Sequence, residues 1–377
     1  MSRNISLTLA LLVWAVAFCA HAQRPPETHP ASETRRIDLH FDRSSAPGDE
    51  ILWSPRTVLA YSITGNDYSA AHLTCRSDLD SSTGKCPTRD TKEDGSAHSR
   101  IPIRFRERRS GLTVDVAATG WIERAMAGRV CTPEFWERVQ RPFSTSRHAD
   151  CSGILPAGVG AYLAVSASEL ERLVAGLWDG ELILDLRAES EGHAIATYIF
   201  IFELTITDHD RVSIYFPEYD QATPHVGLNV KYNPIGIPSI GGKRELEMCL
   251  YDGLGSQSQY LDVTISDTGR PASGRPPDTF SVWHEAGGSD ARDRLDYRVW
   301  LNHAGARMPM QNGRLQSLTG IDTADLRLVV LPGMSQPVYC VPTPLSLEMD
   351  PVPAASKANG HYEGNLQILM NVPTTTP

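Results

Sequence analysis

Leu246-Glu-Met-Cys-Leu-Tyr-Asp-Gly253 is the stretch on which the fold turns. It follows two Gly-containing runs, Lys231-Tyr-Asn-Pro-Ile-Gly236 and Gly241-Gly-Lys-Arg-Glu245, and it is left through Asp-Gly, a turn dipeptide. This reads as a β-strand carrying one cysteine. Its alternation is awkward, because Leu246, Met248 and Leu250 share one face and leave Cys249 and Tyr251 on the other. Either both faces are covered, as in a closed sandwich, or a bulge intervenes.

The same period of two recurs on both sides of the stretch. N-terminal to it lie Ile37/Leu39/Phe41, Thr57–Ile63, and a hairpin of Ile101/Ile103/Phe105 with Leu112/Val114/Val116. Leu182/Leu184/Leu186, Tyr198 to Ile206 and Val212/Ile214/Phe216 follow. The C-terminal half has Val226/Leu228/Val230/Tyr232, Leu261/Val263/Ile265, Tyr297/Val299/Leu301 and Leu326/Leu328/Val330. Its cleanest run is Tyr362, Gly364, Leu366, Ile368, Met370 and Val372. Helix signals are confined to Thr132-Pro-Glu-Phe-Trp-Glu-Arg138 and the capping-box form Ser168-Glu-Leu-Glu171. Many short strands between turn signals predict an all-β chain of two tandem β-sandwiches. At 377 residues the chain is too long for one ordinary domain. The polar break Pro217–Pro224 is the expected boundary, giving domains at 23–218 and 225–377 joined by a linker at 219–224. Arg76 to Arg100 holds almost nothing to bury and reads as an exposed loop.

Residues 1–22 read as a signal peptide: Arg3, an apolar run from Leu7 to Phe18, and Ala20-His-Ala22 as the cleavage pattern. Export makes the six cysteines beyond the leader a disulfide framework. Six cysteines allow 15 pairings; pairing of sequence neighbours gives Cys75–Cys86, Cys131–Cys151 and Cys249–Cys340. The rival, a zinc site, has no Cys-x-x-Cys or Cys/His pair at ligand spacing. No metal or other cofactor is expected. A net charge of −10 with no long basic run argues against nucleic acid as a partner.

No His-Glu-x-x-His, Gly-x-Ser-x-Gly or comparable catalytic motif is present, so an enzyme is not expected. Asp208-His-Asp210 lies in a polar break and reads as an exposed turn. Arg104, Arg106 and Arg108, with adjacent Arg109, line one face of the hairpin. Two readings compete for this stripe. It holds anionic groups such as sialic acid or sulfate bidentately, or it is a solvated sheet face balanced by Glu107 and nearby Asp. Trp121, Trp136 and Trp178 invite the same choice between sugar stacking and core packing.

Several pieces recur in the order known from one bacterial family. They are Gly176-Leu-Trp178 before a Leu-rich strand, Met248-Cys-Leu-Tyr-Asp-Gly253, Pro337-Val-Tyr-Cys340, the strand Leu345–Met349, and Gly360-His-Tyr-Glu-Gly-Asn-Leu366. In these the chain resembles the CfaE/CblD family of tip adhesins and biogenesis initiators of colonisation-factor and cable pili. The resemblance implies an N-terminal adhesin domain and a C-terminal pilin domain, both immunoglobulin-like. It implies that the pilin domain lacks its last strand and is completed by donor-strand complementation. The partners so implied are a periplasmic pilus chaperone, an outer-membrane usher, the major pilin that supplies the donor strand, and a host-surface glycan or glycoprotein receptor. The location implied is the fimbrial tip at the cell surface.

The residues expected to line the donor-strand groove are Leu366, Ile368 and Met370 on one side, with Leu228 and Val230 on the other. An exposed apolar strand edge would be an aggregation hazard unless another chain filled it. Family adhesins bind receptor through arginines near the first cysteine and in the hairpin after the Gly-x-Trp strand. The matching positions here hold Ala70, Ala188 and Glu189. Arg76, Arg187 and the Arg104–Arg109 stripe are the substitutes available. Two alternatives follow: an assembly initiator without adhesive activity, and a secreted carbohydrate-binding protein unconnected with pili.

Overall fold

The computed structural model describes residues 24–373, apart from 46, 132–133, 220–222, 270–271, 273 and 335. The leader expected at 1–22 lies outside the described residues. The chain divides into two β-sandwich units, the first built from 45–173 and 178–205 with the preceding N-terminal residues, the second from 206 onward with the short pieces 42–44 and 174–177. This division precedes the break expected at 219–224. The reason is a ladder: Ser213–Tyr215 pairs antiparallel with Cys249–Tyr251, so the chain has already joined the second unit before it reaches the prolines.

In the first unit the main path of the sheet runs Glu33–Asp42, Ala194–Thr207, Gly176–Arg187, Ser99–Glu107, Thr113–Ala125, Gly158–Val165, Glu50–Tyr61, and His72–Thr74 adds to Gly176–Arg187. Period-two alternation places its core. Ile101, Ile103 and Phe105 are wholly buried while the intervening Arg104 and Arg106 face out. Phe105 packs on Phe202 at 5.4 Å, and Trp53 meets Tyr198 and Phe200 edge-on at 5.1 and 5.3 Å. The expected exposed loop is partly sheet filler. The Arg104 amide donates to the Ser81 carbonyl, the Lys85 amide to Pro102 and the Ile183 amide to Thr83, so the disulfide-closed segment 75–86 lies against two strands. Gly84 is buried there with φ +90°, and a Cβ on it would fall 2.4 Å from Leu182. Only glycine fits such a position. The Ser168–Glu171 signal yields one helical turn, Ala167–Leu170. Glu134 to Arg138 form no helix; the start of that expected helix lies outside the described residues.

In the second unit one sheet path runs Lys231–Asn233, Ser239–Leu246, Leu345–Pro353, Arg294–His303, Phe280–His284, Tyr362–Glu363. Facing ladders hold Arg327–Val329, Val338–Pro342, Cys249–Tyr251, Ser213–Tyr215 and, separately, Leu315–Thr319, Tyr260–Asp267, Leu366–Asn371. Both open alternatives for the 246–253 stretch resolve in favour of coverage on both faces. Leu246 ends a strand of the first sheet, Glu247 and Met248 pass between sheets, and Cys249–Tyr251 enters the second, buried throughout. The last run behaves the same way. It is two strands in two sheets, separated at Gly364-Asn365, where a Cβ on Gly364 would sit 3.1 Å from the Ser281 carbonyl.

The core between the layers includes Leu246, Met248, Leu250, Val263, Phe280, Val299, Leu345 and Leu347. Asp252 explains the Asp-Gly ending. Its buried carboxylate accepts the amides of Leu254, Ser256 and Ser258 at 2.9, 2.8 and 3.0 Å, and Gly253 turns with φ +72°. A Cβ on Gly253 would meet the Asp208 carbonyl at 2.6 Å. The Asp208 amide donates in return to the Gly253 carbonyl at 2.7 Å. Asp208 is therefore buried and not part of an exposed turn, and burial raises the pKa of its carboxyl. Disulfides join Cys75–Cys86, Cys131–Cys151 and Cys249–Cys340, with Cα separations of 5.2, 5.8 and 5.7 Å. Cys249 and Cys340 are both wholly buried.

Candidate functional site

Two regions gather the residues singled out in the sequence, one in each unit. In the first unit the arginine stripe is largely neutralised by its neighbours. Arg104 reaches Asp80 at 2.9 Å and Asp115 at 4.0 Å. Arg108 grips Asp179 bidentately at 2.8 and 2.6 Å and reaches Glu203 at 3.3 Å, which raises its already high pKa. Arg109 is half-buried, and Arg106 is exposed on the same face. Glu107 lies on the opposite face from Arg104, Arg106 and Arg108. It points inward, and its carboxylate accepts both the amide and the hydroxyl of Ser110 at 2.6 Å, fixing the hairpin turn.

A second cluster lies where His72–Thr74 pairs with Asp185–Arg187. Arg76 sits 3.6 Å from Asp185, and Arg187 donates to Thr74 Oγ1 at 3.1 Å and to the Gly192 carbonyl at 2.5 Å. Ala70, Ala188 and Glu189 lie beyond the His72–Arg187 end of this ladder, while Arg76 lies past its Thr74–Asp185 end, so that Arg76 and Arg187 flank Asp185 from opposite sides along the strands. The ladder does not bring them to Arg108, whose carboxylate partners are Asp179 and Glu203.

Beneath this corner runs a polar network that the sequence reading missed. Arg124 is wholly buried and donates to the carbonyls of Ala71, Thr145 (2.7 Å) and Arg147 (3.1 Å). Burial lowers its pKa to about 10, against the pull of Glu137. Asp90 accepts from Ser146 Oγ at 2.6 Å and from the amides of Ser146 and Lys92 at 3.0 and 2.9 Å. Burial opposes ionisation of Asp90, yet these hydrogen bonds hold its pKa at about 2. His72 is buried with Nδ1 2.9 Å from the Ala70 carbonyl, and burial lowers its pKa. One signal was available: Arg124 shares strand parity with Val116, Ala118 and Ile122, the core face of Thr113–Ala125.

Of the tryptophans, Trp178 is core, and Trp136 is buried where a Cβ on Gly160 would meet its ring at 2.6 Å. Trp121 is half-buried, stacked between His98 and Tyr162 at 4.4 and 4.1 Å.

In the second unit the strand Leu366–Asn371 pairs with Tyr260–Asp267 on one side and ends its sheet on the other. Leu366, Ile368 and Met370 are half-buried against the core, and Leu228 packs on that same core. Val230, expected on the face of Leu228, is 45% exposed. Asn229 between them has φ +51° and breaks the alternation. Beyond it Tyr232, Ile235 and Ile237 are exposed at 62%, 82% and 77%, an apolar arm uncovered among the described residues.

This arrangement can be set beside known proteins. Residues 18–209 match the family profile of the first domain of CfaE, a fimbrial subunit of CFA/I, and residues 212–374 match that of its second domain. The chain belongs to the CfaE family. It is 25% identical to the CFA/I fimbrial protein CfaE of Escherichia coli over 354 residues, 91% of either chain. The crystal structure of CfaE, the adhesive subunit of CFA/I fimbria of enterotoxigenic Escherichia coli, is similar with a TM-score of 0.72. That match is 21% identical and spans 93% of this chain and 95% of the other. A structure described as a chaperone–tip adhesin complex of CFA/I fimbriae matches with a TM-score of 0.65 and 21% identity, over 93% of this chain and 99% of that one. The CfaE-family boundary, between 209 and 212, agrees with a division before the prolines.

Proposed function

We propose that this chain is the tip subunit of a chaperone–usher fimbria, carried to the cell surface, where it initiates assembly and adheres through its first unit. The carrying observation is the edge of Leu366–Asn371, which pairs on one side only among the described residues, together with the uncovered apolar side chains Val230, Tyr232, Ile235 and Ile237. Such an edge presents unsatisfied backbone donors and acceptors over a half-buried apolar row, the template that β-strand addition completes. Membership of the CfaE family supports the same reading, since the relatives are named as adhesive fimbrial subunits and one is described with its chaperone. The donor is a chaperone strand first and the N-terminal extension of the major pilin afterwards, delivered at an outer-membrane usher. Leu366, Ile368, Met370 and Leu228 line the groove; Val230 borders it. The role is one of binding and assembly and involves no reaction.

For the receptor contact, the Arg76/Arg187 corner is the best placed of the arginines, because Arg76 is half-exposed and only loosely held. Arg104 and Arg108 would first have to leave their carboxylates. The second reading, an initiator without adhesion, is favoured by one observation: Ala70, Ala188 and Glu189 bring no cation to that corner.

The test joins a peptide from the partner major pilin's N-terminal extension to the C-terminus through a flexible linker. Thermal unfolding of the fused and bare chains is then compared. A gain in Tm that Ile368→Glu abolishes is expected; no gain, with a bare chain that stays monomeric, refutes the incomplete sandwich. Binding of the fused chain to host-cell glycans, lost in Arg76→Ala, separates the adhesin from the bare initiator.

A further inference from the structure

One titratable ring is sealed inside the polar corner of the first unit. His72 is wholly buried, and its Nδ1 lies 2.9 Å from the Ala70 carbonyl. A carbonyl only accepts, so the proton of the neutral ring sits on Nδ1 and the lone pair on Nε2. That Nε2 is buried without a hydrogen-bond partner among the described residues. The other histidines of the unit, His29, His40, His98, His148 and His193, are exposed or half-buried. Among them His72 is the ring whose protonation has to be met inside the protein.

Its surroundings are ill suited to a second proton. The facing strand brings Arg187, its register partner, whose guanidinium donates to Thr74 Oγ1 and to the Gly192 carbonyl. The strand Thr113–Ala125 brings Arg124, wholly buried and donating to the carbonyl of Ala71, the next residue in the chain. The loop before Ser99 brings Asp90, the carboxylate that acts on the ring, already occupied by Ser146 and the Lys92 amide. The other charges nearby are engaged elsewhere. Asp185 serves Arg76 and Thr197, Glu137 serves Arg141 and the Ala149 amide, and Arg147 turns to the Lys92 carbonyl and Asp94. Burial therefore holds the His72 pKa below its ordinary 6.5; the Ala70 carbonyl and Asp90 offset this in part, and Arg124 and Arg187 add to it. An imidazolium here would stand near two guanidiniums and present a buried N–H with no acceptor.

We propose that His72 is a proton-operated latch: neutral, it lets Arg124 tie the segments 70–72 and 143–147 into one corner, and protonated at Nε2 it drives that corner open. The ties it would break are specific. Arg124 joins Ala71 to Thr145 and Arg147, the Leu73 amide donates to the Phe143 carbonyl at 2.8 Å, and the Thr91 amide donates to the Ser144 carbonyl at 2.8 Å. The closed corner binds fewer protons than the open one. Its stability is therefore complete well above pH 6.5, falls as pH drops below that value, and levels off beneath the folded pKa of the ring. Arg187 belongs to this corner, so the receptor contact proposed for Arg76 and Arg187 should weaken in acid. That consequence rests on the adhesive reading, whereas the opening is measured without any receptor, and the two can fail separately.

The test takes the full exported chain from about pH 7.5 to about pH 5 with two readouts. One is the His72 ring resonance in histidine-labelled protein, the other amide-exchange protection corrected for the intrinsic effect of pH on exchange. The ring is expected to titrate below pH 6.5. Protection over 70–74 and 143–147 should fall roughly three- to tenfold across that range, while the strand Ser99–Glu107 keeps its protection. His72→Asn retains a donor for the Ala70 carbonyl and has nothing to titrate, so its protection should not change with pH. Three results overturn the latch: a His72 ring that titrates at or above 6.5, wild-type protection indifferent to pH, or a fall of equal size in a folded His72→Asn. Should that variant not fold, the wild type decides alone, since an opening midpoint that departs from the titration of the ring is equally fatal.

Discussion

Arg124→Met measures what holds the polar corner of the first unit together. The guanidinium is wholly buried and serves the carbonyls of Ala71, Thr145 and Arg147. Its pKa near 10 keeps it charged at neutral pH despite burial. Methionine fills similar space but leaves all three acceptors without a donor. At about 1 kcal/mol for each acceptor the loss is near 3 kcal/mol, since Glu137 keeps its Arg141 ion pair and the Ala149 amide. For a unit of this size that corresponds to a fall in Tm of about 6–12 °C. Near-UV circular dichroism during heating gives the Tm. Amide exchange over 143–147 gives the location, because the segments 90–94 and 144–147 are tied to each other and to this one side chain. A fall under about 2 °C, with exchange over 143–147 unaltered, would refute the idea that Arg124 anchors these loops.

Replacing Cys249 and Cys340 by Ala opens a loop of sequence separation 91 and should cost about 4–5 kcal/mol in urea unfolding. Gly253→Ala combines φ +72° with a Cβ 2.6 Å from the Asp208 carbonyl, so a loss of about 2–3 kcal/mol is expected by the same assay. The Asp90 carboxyl has a folded pKa of about 2, below the 3.8 of an unperturbed carboxyl. Its contribution is therefore complete above about pH 4 and lost as pH falls through 2, and Asp90→Asn should flatten the dependence of Tm on pH across that window. Arg108→Ala removes an exposed pair and should change stability by less than about 1 kcal/mol, seen as a near-constant Tm.

Most of the strands were legible because burial on one face of a sheet imposes a period of two, as in Ile101/Ile103/Phe105. The disulfides were legible as neighbours. Where strands pass between sheets the period was a poorer guide: the awkward alternation of Leu246 to Tyr251 hinted at cover on both faces but not at a change of sheet, and Tyr362 to Val372 keeps alternating while it changes partners. Asn229 defeated the expectation for Val230 through a single positive φ, a backbone choice the side-chain pattern does not carry. The arginine stripe was visible as residues, but not its carboxylate partners. Asp80, Asp179 and Glu203 arrive from distant parts of the chain.

The wholly buried bond between Cys249 and Cys340 also sets an order of events. Neither sulfur can meet an oxidant or a thiol once the layers have closed over it, because reagents reach such atoms only through opening of the surrounding structure. The bond must therefore be made while the second unit is still open, before its core is sealed. In the finished molecule it serves as a clock in reverse. The rate at which a membrane-permeant reductant cleaves it reports how often that unit opens, and a bound donor strand should slow the count.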